Sequence, residues 1–307
     1  MKLFKKIFLI FVCAALVLPI CRADGDISIQ ARSCILVDVN SGEVLYEQDA
    51  DSKQYPASLT KLMTALLVYE NCGLDDIVTV TESAIADLDP DGSTANLKVG
   101  EQMSVENLLY CLLVVSGNDA ACVLAEHTAG SIDAFVDMMN RKAKELGCTG
   151  TVFTNPDGLH DDGHYTTARD VYLITREFIK NDKLMEIANT ASYVVPPTNK
   201  TSTQRILNTT NYLISGTKTI QYLYSYARGI KTGTTTPAGY CLVSSAEKNG
   251  LYLVSVVLGA GKSQDTGEIM SFVETKRLFE YGFNNYSNKT LISSGEPIVE
   301  VKVEMSQ

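Results

Sequence analysis

The 307-residue sequence predicts an α/β fold: an antiparallel sheet flanked by helices, with an inserted helical subdomain. Three observations predict it. Two strand patterns, Ser33–Val37 and Glu43–Tyr46, flank the turn residues Asn40-Ser41-Gly42 near the start. A long stretch at about 75–190 is dominated by apolar residues at helical spacing. Three strand patterns then follow, at Gly229–Thr235, Gly239–Ser245 and Leu251–Leu258, and a helix at Thr266–Tyr281 closes the unit. A sheet interrupted in this way leaves a cleft between itself and the inserted helices.

Each element has its own signal. The first hairpin leads to Tyr55-Pro56-Ala57-Ser58-Leu59-Thr60-Lys61-Leu62-Met63, which opens a helix ending near Gly73, a candidate left-handed cap. Leu62, Met63, Ala65, Leu66, Leu67 and Val68 make that helix apolar nearly all round, so it belongs inside a core. Val78–Val80 is a short extended piece. Residues 83–103 read as a loop, and Asp87, Asp89 and Asp91 lack the spacing and terminal glutamate of a calcium loop. Ser104 caps a helix carrying Leu108, Leu109, Leu112 and Leu113. Ser116-Gly117-Asn118 separates it from a helix starting at Asp119.

Ile132, Phe135, Val136, Met139, Ala143 and Leu146 form the next amphipathic helix, capped by Gly147. Phe153–Leu159 reads as a turn. His160 and His164 stand four apart, but Gly163 and its neighbours argue for a loop, so no metal is expected there. Thr167 with Asp170 reads as a capping box opening a helix through Phe178. Residues 190–228 are polar and extended, with Asn208–Leu213 crossing below the cleft. Asn249-Gly250 is a strong hairpin signal between the last two strands. Gly282 reads as the cap of the closing helix.

The chemistry concentrates at Ser58 and Lys61. Residues three apart share a helix face. A lysine inside an apolar core is costly unless it is partnered or neutral. A neutral lysine can take the proton of a neighbouring serine and make it a nucleophile. The bland alternative is a helix start with Ser58 as cap and Lys61 reaching for water. Two later triplets, Ser116-Gly117-Asn118 and Lys231-Thr232-Gly233, favour the first reading. S-x-x-K, S-D-N and K-T-G occur together in this order in penicillin-binding proteins and class A β-lactamases. Here the middle triplet is S-G-N.

From about Ala31 to Phe283 the chain resembles the serine D-alanyl-D-alanine carboxypeptidases, the low-molecular-mass penicillin-binding proteins of peptidase family S11. Ser116–Ala121 and Gly229–Thr235 carry the likeness alongside Ser58 and Lys61. The resemblance implies a β-lactamase/transpeptidase-like fold and an exported enzyme that removes the terminal D-Ala from peptidoglycan stem pentapeptides. It implies Ser58 as nucleophile, Lys61 as general base with Lys231 as a nearby cation, and Ser116 as proton relay. Asn118 would hold Lys61 and the substrate amide. The backbone N–H groups of Ser58 and Thr234 would form the oxyanion hole beside Gly233, and Lys231, Thr232 and Thr235 would receive the substrate carboxylate. Relatives often add an arginine after the third strand, where this chain offers Lys262. β-Lactam antibiotics are expected as covalent inhibitors and no cofactor is expected.

Composition fits that reading. The first residues carry Lys2, Lys5 and Lys6, then an apolar run of 14 residues from Ile7 to Ile20, then Cys21-Arg22-Ala23, so residues 1–23 read as a signal peptide. An uncleaved anchor is the alternative. Loss of 1–23 would take the net charge from −10 to −14, which argues against nucleic acid as a partner. Six cysteines remain (34, 72, 111, 122, 148 and 241), and buried thiols are the expectation. Residues 24–283 form the catalytic domain. Pro297–Val303 alternates like the first strand of a truncated or absent C-terminal β domain. The location is the cell envelope, in the periplasm or on the outer face of the cytoplasmic membrane. Peripheral membrane contact is expected only if a C-terminal anchor exists. A β-lactamase would need fast deacylation, but the E-x-x-L-N signature of class A is absent between Ser116 and Lys231. A non-catalytic envelope module that binds peptide or β-lactam is the other alternative, and it would have no need of an activated serine.

Overall fold

A computed structural model describes residues 27–288. The expected signal peptide and the Pro297–Val303 strand lie outside the described residues. The centre is a five-stranded antiparallel sheet. Its strands are β1 (Ser33–Asp38), β2 (Val44–Gln48), β7 (Ala227–Thr235), β8 (Gly239–Lys248) and β9 (Leu251–Ala260). Their order is β2-β1-β9-β8-β7. Of the first hairpin only β2 is an edge, because β1 pairs with β9 along its whole length. The opposite edge is β7, the strand that carries Lys231 to Thr235.

Alternate residues of a strand face opposite sides, and here both sides are covered. Cys34, Leu36, Leu253 and Val257 pack on helix α8 (Met270–Asn285). Ile35, Val37, Val243, Val254 and Val256 pack towards the helical subdomain. That subdomain contains α1 (Lys61–Asn71), α2 (Glu82–Ile85), α3 (Val105–Leu113), α4 (Asn118–Ala129), α5 (Ile132–Glu145), α6 (Ala168–Phe178) and α7 (Asp182–Ala188). Helix α1 is buried from Lys61 through Val68, as its all-round apolar sequence requires. Two small ribbons complete the structure: β3 (Ile77–Thr79) with β4 (Gln102–Ser104), and β5 (Ser192–Val195) with β6 (Arg205–Asn208).

Several local readings change. Helix α1 ends in extended backbone at Cys72, and Gly73 instead donates its N–H to the Asp76 carboxylate at 2.7 Å. The short α2, capped by Thr81, lies in the stretch read as loop. Helix α7, buried at Leu184, Ile187 and Ala188, and the β5–β6 ribbon extend the ordered structure beyond Phe178, each too short for its apolar residues to repeat a period. The Thr167 hydroxyl caps the Asp170 N–H at 3.0 Å, but the Asp170 carboxylate turns to Thr149, Gly150 and Thr151 instead of closing the box. Residues 261–269 form a loop tied by a Lys262–Ile269 bridge, so α8 starts at Met270 rather than Thr266. Gly282 lies inside α8. A Cβ there would meet Leu253 Cδ1 at 2.5 Å, so this glycine permits close packing of helix on sheet.

Among the described residues, all six cysteines are free thiols. No helix there is long and apolar enough to cross a membrane.

Candidate active site

Ser58 sits in a 3-10 turn, Ala57–Thr60, that leads into α1. It does not act as a capping residue: neither Pro56 before the turn nor Thr60 before α1 makes a side-chain cap, and Ser58 Oγ is instead a neighbour of Lys61. Ala57 is held at φ +48°. An alanine in the left-handed region costs about 1–3 kcal/mol unless its surroundings impose it. The surroundings here are Gly158 and Thr60. Gly158, at φ +84°, lies directly against the Ala57 carbonyl, leaving no room for a Cβ. The Thr60 hydroxyl donates to the Ala57 carbonyl at 2.8 Å and also meets His164 Nε2 at 2.8 Å.

The segment before Gly158 is tied to α1. Thr64 Oγ1 donates to the Pro156 carbonyl at 2.5 Å, and Lys61 Nζ donates to the Asp157 carbonyl at 2.5 Å. The segment read as a simple turn therefore forms one wall of the lysine site. His164 serves this wall. Its Nδ1 accepts from the Thr154 N–H at 3.1 Å, and burial pulls its pKa down to about 4. His160 points elsewhere, edge-on to Tyr55.

Lys61 is 0 % exposed. Its Nζ reaches three acceptors: Ser58 Oγ at 3.0 Å, Asn118 Oδ1 at 2.7 Å and the Asp157 carbonyl at 2.5 Å. Three acceptors match the three hydrogens of an ammonium. After loss of one proton, two bonds can persist while Nζ accepts from the Ser58 hydroxyl. Burial pulls the lysine down to about 8, and the negative charges of Asp157 and Asp119 act against that fall.

Ser116 closes the other side of Ser58. It stands between α3 and α4 at φ +63°, a second non-glycine residue in the left-handed region. Its hydroxyl accepts from Lys231 Nζ at 2.8 Å. Lys231 is 1 % exposed, and its other acceptor is the Thr232 carbonyl at 2.8 Å. Burial lowers its pKa well below the usual lysine value, and the charge of Lys61 lowers it further. Burial is the first cause of the low value of both lysines.

Gly117 explains the S-G-N variant. A Cβ at this position would lie 2.7 Å from the Asp119 carboxylate and 3.2 Å from Ala95 N. The Asp119 carboxylate, with Ala95 N behind it, leaves no room for a side chain at this position. Gly233 is equally constrained. A Cβ there would sit 3.0 Å from the Pro56 carbonyl and 3.1 Å from Ser58 N, so β7 runs directly against the turn that carries Ser58.

Ser58 lines two adjoining cavities. One, of about 220 Å³, is bounded by Ser116, Thr210, Tyr212, Thr232, Thr234, Tyr240 and Phe272. The other, of about 360 Å³, is bounded by Asp89, Asp91, Gly92, Asn118, Asp157, Leu159, Thr234 and Thr235. Ser93 lines both. Thr232 and Thr235 therefore face different lobes. The hydroxyl beside Thr232 is Thr210, at 2.5 Å. Thr235 Oγ1 instead accepts from the Ala238 N–H at 3.2 Å. Lys262 lies outside both lobes, 5.6 Å over the ring of Tyr240.

Sequence reasoning places Ser58, Lys61, Ser116, Asn118 and Lys231 together, and the structure brings them together. It missed Thr210, which no spacing ties to Thr232, and the Asp157 carbonyl, because backbone groups carry no residue signal. Part of the stretch read only as a loop borders the cleft, at Asp89, Asp91 and Ser93.

The family model described as D-alanyl-D-alanine carboxypeptidase matches residues 21–262. The D-alanyl-D-alanine carboxypeptidase DacF of Bacillus subtilis is 31% identical over 289 residues, covering 92% of this chain and 70% of that one. The solved structure of the D-alanyl-D-alanine carboxypeptidase DacD from Francisella tularensis superposes with a TM-score of 0.76 at 30% identity, covering 89% of this chain and 75% of that one. Penicillin-binding protein D2 from Listeria monocytogenes, solved in its cefotaxime-bound form, gives a TM-score of 0.69 at 31% identity, covering 84% of this chain and 99% of that one.

Proposed function

The chain belongs to the D-alanyl-D-alanine carboxypeptidase family, and from that premise we propose a reaction path built on Ser58. Ser58 Oγ attacks the carbonyl carbon of the penultimate D-Ala while Lys61 Nζ takes its proton. The negative charge on the carbonyl oxygen is held by the backbone N–H groups of Ser58 and Thr234. The close approach of Gly233 to Ser58 N supports that placement. One such donor is worth about 2.7–4 kcal/mol of barrier.

Collapse of the tetrahedral intermediate breaks the C–N bond. The departing D-Ala nitrogen receives a proton from Ser116, which Lys231 reprotonates. As D-Ala leaves, Lys61 gives up to solvent the proton it took from Ser58 and Lys231 regains one. Water then attacks the Ser58 ester with neutral Lys61 again as base, Lys61 returns that proton to Ser58 Oγ, and the shortened peptide leaves. The substrate carboxylate occupies the lobe of Ser116, Thr210 and Thr232. Its charge raises the affinity of Lys231 for a proton, so substrate binding itself loads the relay. The remainder of the stem peptide follows the larger lobe, past Asn118 and Thr235.

The observation that carries this reading is the 3.0 Å contact between a fully buried lysine and the serine hydroxyl. A β-lactam presents a strained amide to the same serine, and the cefotaxime-bound relative supports that use of the cleft. The setting is the cell envelope, and we place the enzyme on its outer side, where stem peptides are exposed. Release of free D-Ala from a peptide ending in D-Ala-D-Ala, lost in Ser58→Ala, tests the proposal.

A further inference from the structure

Next to Asn118 lies a carboxylate that takes no part in this path. Asp119 is 1 % exposed. Its Oδ1 accepts from the Ala95 N–H at 3.0 Å and the Ala120 N–H at 2.8 Å. Its Oδ2 accepts from the Leu97 N–H at 3.0 Å and the Thr94 hydroxyl at 2.5 Å. Three of these four donors, Thr94, Ala95 and Leu97, directly follow the cleft-lining residues 89–93. One residue earlier, the Asn118 N–H donates to the Ser93 carbonyl at 2.8 Å.

The loop therefore docks on the start of α4 through one buried charge. A side-chain amide or hydroxyl could not replace it, because only a carboxylate accepts on both oxygens without presenting a hydrogen. The docked loop in turn packs on the catalytic side chain. Gly92 approaches Asn118 so closely that a Cβ there would lie 2.7 Å from Nδ2. The other end of the same amide, Oδ1, holds Lys61. Gly117, with no side chain, is what lets the carboxylate and the loop meet.

We infer that Asp119 is a positioning residue: its carboxylate fixes the 93–97 loop against Asn118 and thereby sets the position of Lys61 beside Ser58. The inference rests on the proposed function of Ser58. The groups that face Lys61 are Ser58, Asn118, Asp157, Cys122 and Asp119, with Lys231 on the far side of the serine. Asp119 is thus also a negative charge acting on the base, and this separates its role from plain support of the fold.

The test compares wild type, Asp119→Asn and Thr94→Val. Two quantities are followed: the second-order rate of acylation by benzylpenicillin from pH 6 to 10, and the thermal unfolding curve. Asp119→Asn should acylate about tenfold or more slowly, the scale of a lost hydrogen bond to a charged group. The pH at which its rate half-rises should move downward, because a charge that favours protonated Lys61 has gone. Thr94→Val loosens the loop but keeps the charge, so its rate should fall by about threefold, the scale of one hydrogen bond, with the half-rise in place. Wild-type rates in both variants would overturn the inference. So would a slowed Asp119→Asn whose half-rise has not moved. If Asp119→Asn fails to fold, Thr94→Val decides alone, and an unchanged rate would overturn it. An inert wild type would contradict the function of Ser58 instead.

Discussion

Lys61 Nζ and Ser58 Oγ stand 3.0 Å apart inside the protein, with the lysine wholly removed from solvent. Neither residue can move freely. The serine is fixed by a turn whose alanine is in the left-handed region, and the lysine is fixed by the Asn118 side chain and the Asp157 carbonyl. The pair is held in reacting geometry before substrate arrives, and that is the form in which positioning lowers a barrier.

The first prediction concerns pH. Lys61 acts as a base only when neutral, and its pKa is about 8. kcat/KM for a D-Ala-D-Ala peptide should therefore rise about tenfold per pH unit below that value and level off above it. The stability sign follows from the same numbers. The ordinary lysine value is 10.5. Between about 8 and 10.5 the unfolded chain keeps a proton that the folded chain lacks, so stability rises with pH there. Below 8 the full penalty of burying the charge remains. Relative to Lys61→Met, wild type should gain on the order of 3 kcal/mol from pH 7 to 10.5, read as the difference between their urea midpoints at each pH. Parallel curves would contradict the assignment.

A second prediction tests the strained turn. Gly158→Ala places a methyl group against the Ala57 carbonyl at a residue with φ +84°. It should cost about 2–4 kcal/mol of stability, a large value for one methyl. It should also slow acylation more than any remote variant of equal instability, since the turn that carries Ser58 must shift. Thermal unfolding and acylation rate measured together decide this.

The third prediction separates the two lobes. Thr210→Val removes the hydroxyl 2.5 Å from Thr232 Oγ1. It should raise KM for peptides with a free terminal carboxylate by about tenfold, as the loss of one charge-assisted hydrogen bond would. Acylation by a β-lactam ester that lacks the free acid should change little. Equal effects on both would place the carboxylate elsewhere.

Much of this architecture was legible in the sequence. The strands around Ile35, Val243 and Val256 announced themselves because both sheet faces are covered and few polar residues interrupt them. Ser58, both lysines, Ser116 and Asn118 were legible through the order of three motifs, S-x-x-K, S-G-N and K-T-G, with the lysine in an apolar helix as the local oddity, and the structure brings them within reach of one another. What stayed hidden depends on long-range approach. Gly73 and Gly282 look like caps in a one-dimensional pattern. One proves to bind a carboxylate, and the other admits Leu253 to the helix surface. Thr210 gains its place because Asn211 Nδ2 ties the crossing segment to the Gly229 carbonyl at 2.7 Å, a contact no local pattern encodes. Asp119 gave a faint signal, an acid at the head of an apolar helix, but its partners at 94–97 precede it by more than twenty residues.

The central claim is that Ser58 is the acyl carrier, and intact mass spectrometry of the protein mixed with benzylpenicillin tests it most directly. A long-lived gain of one drug mass, mapping to the peptide that contains Ser58 and absent in folded Ser58→Ala, is the predicted result. No gain from folded wild type, or a gain that survives Ser58→Ala, would contradict it.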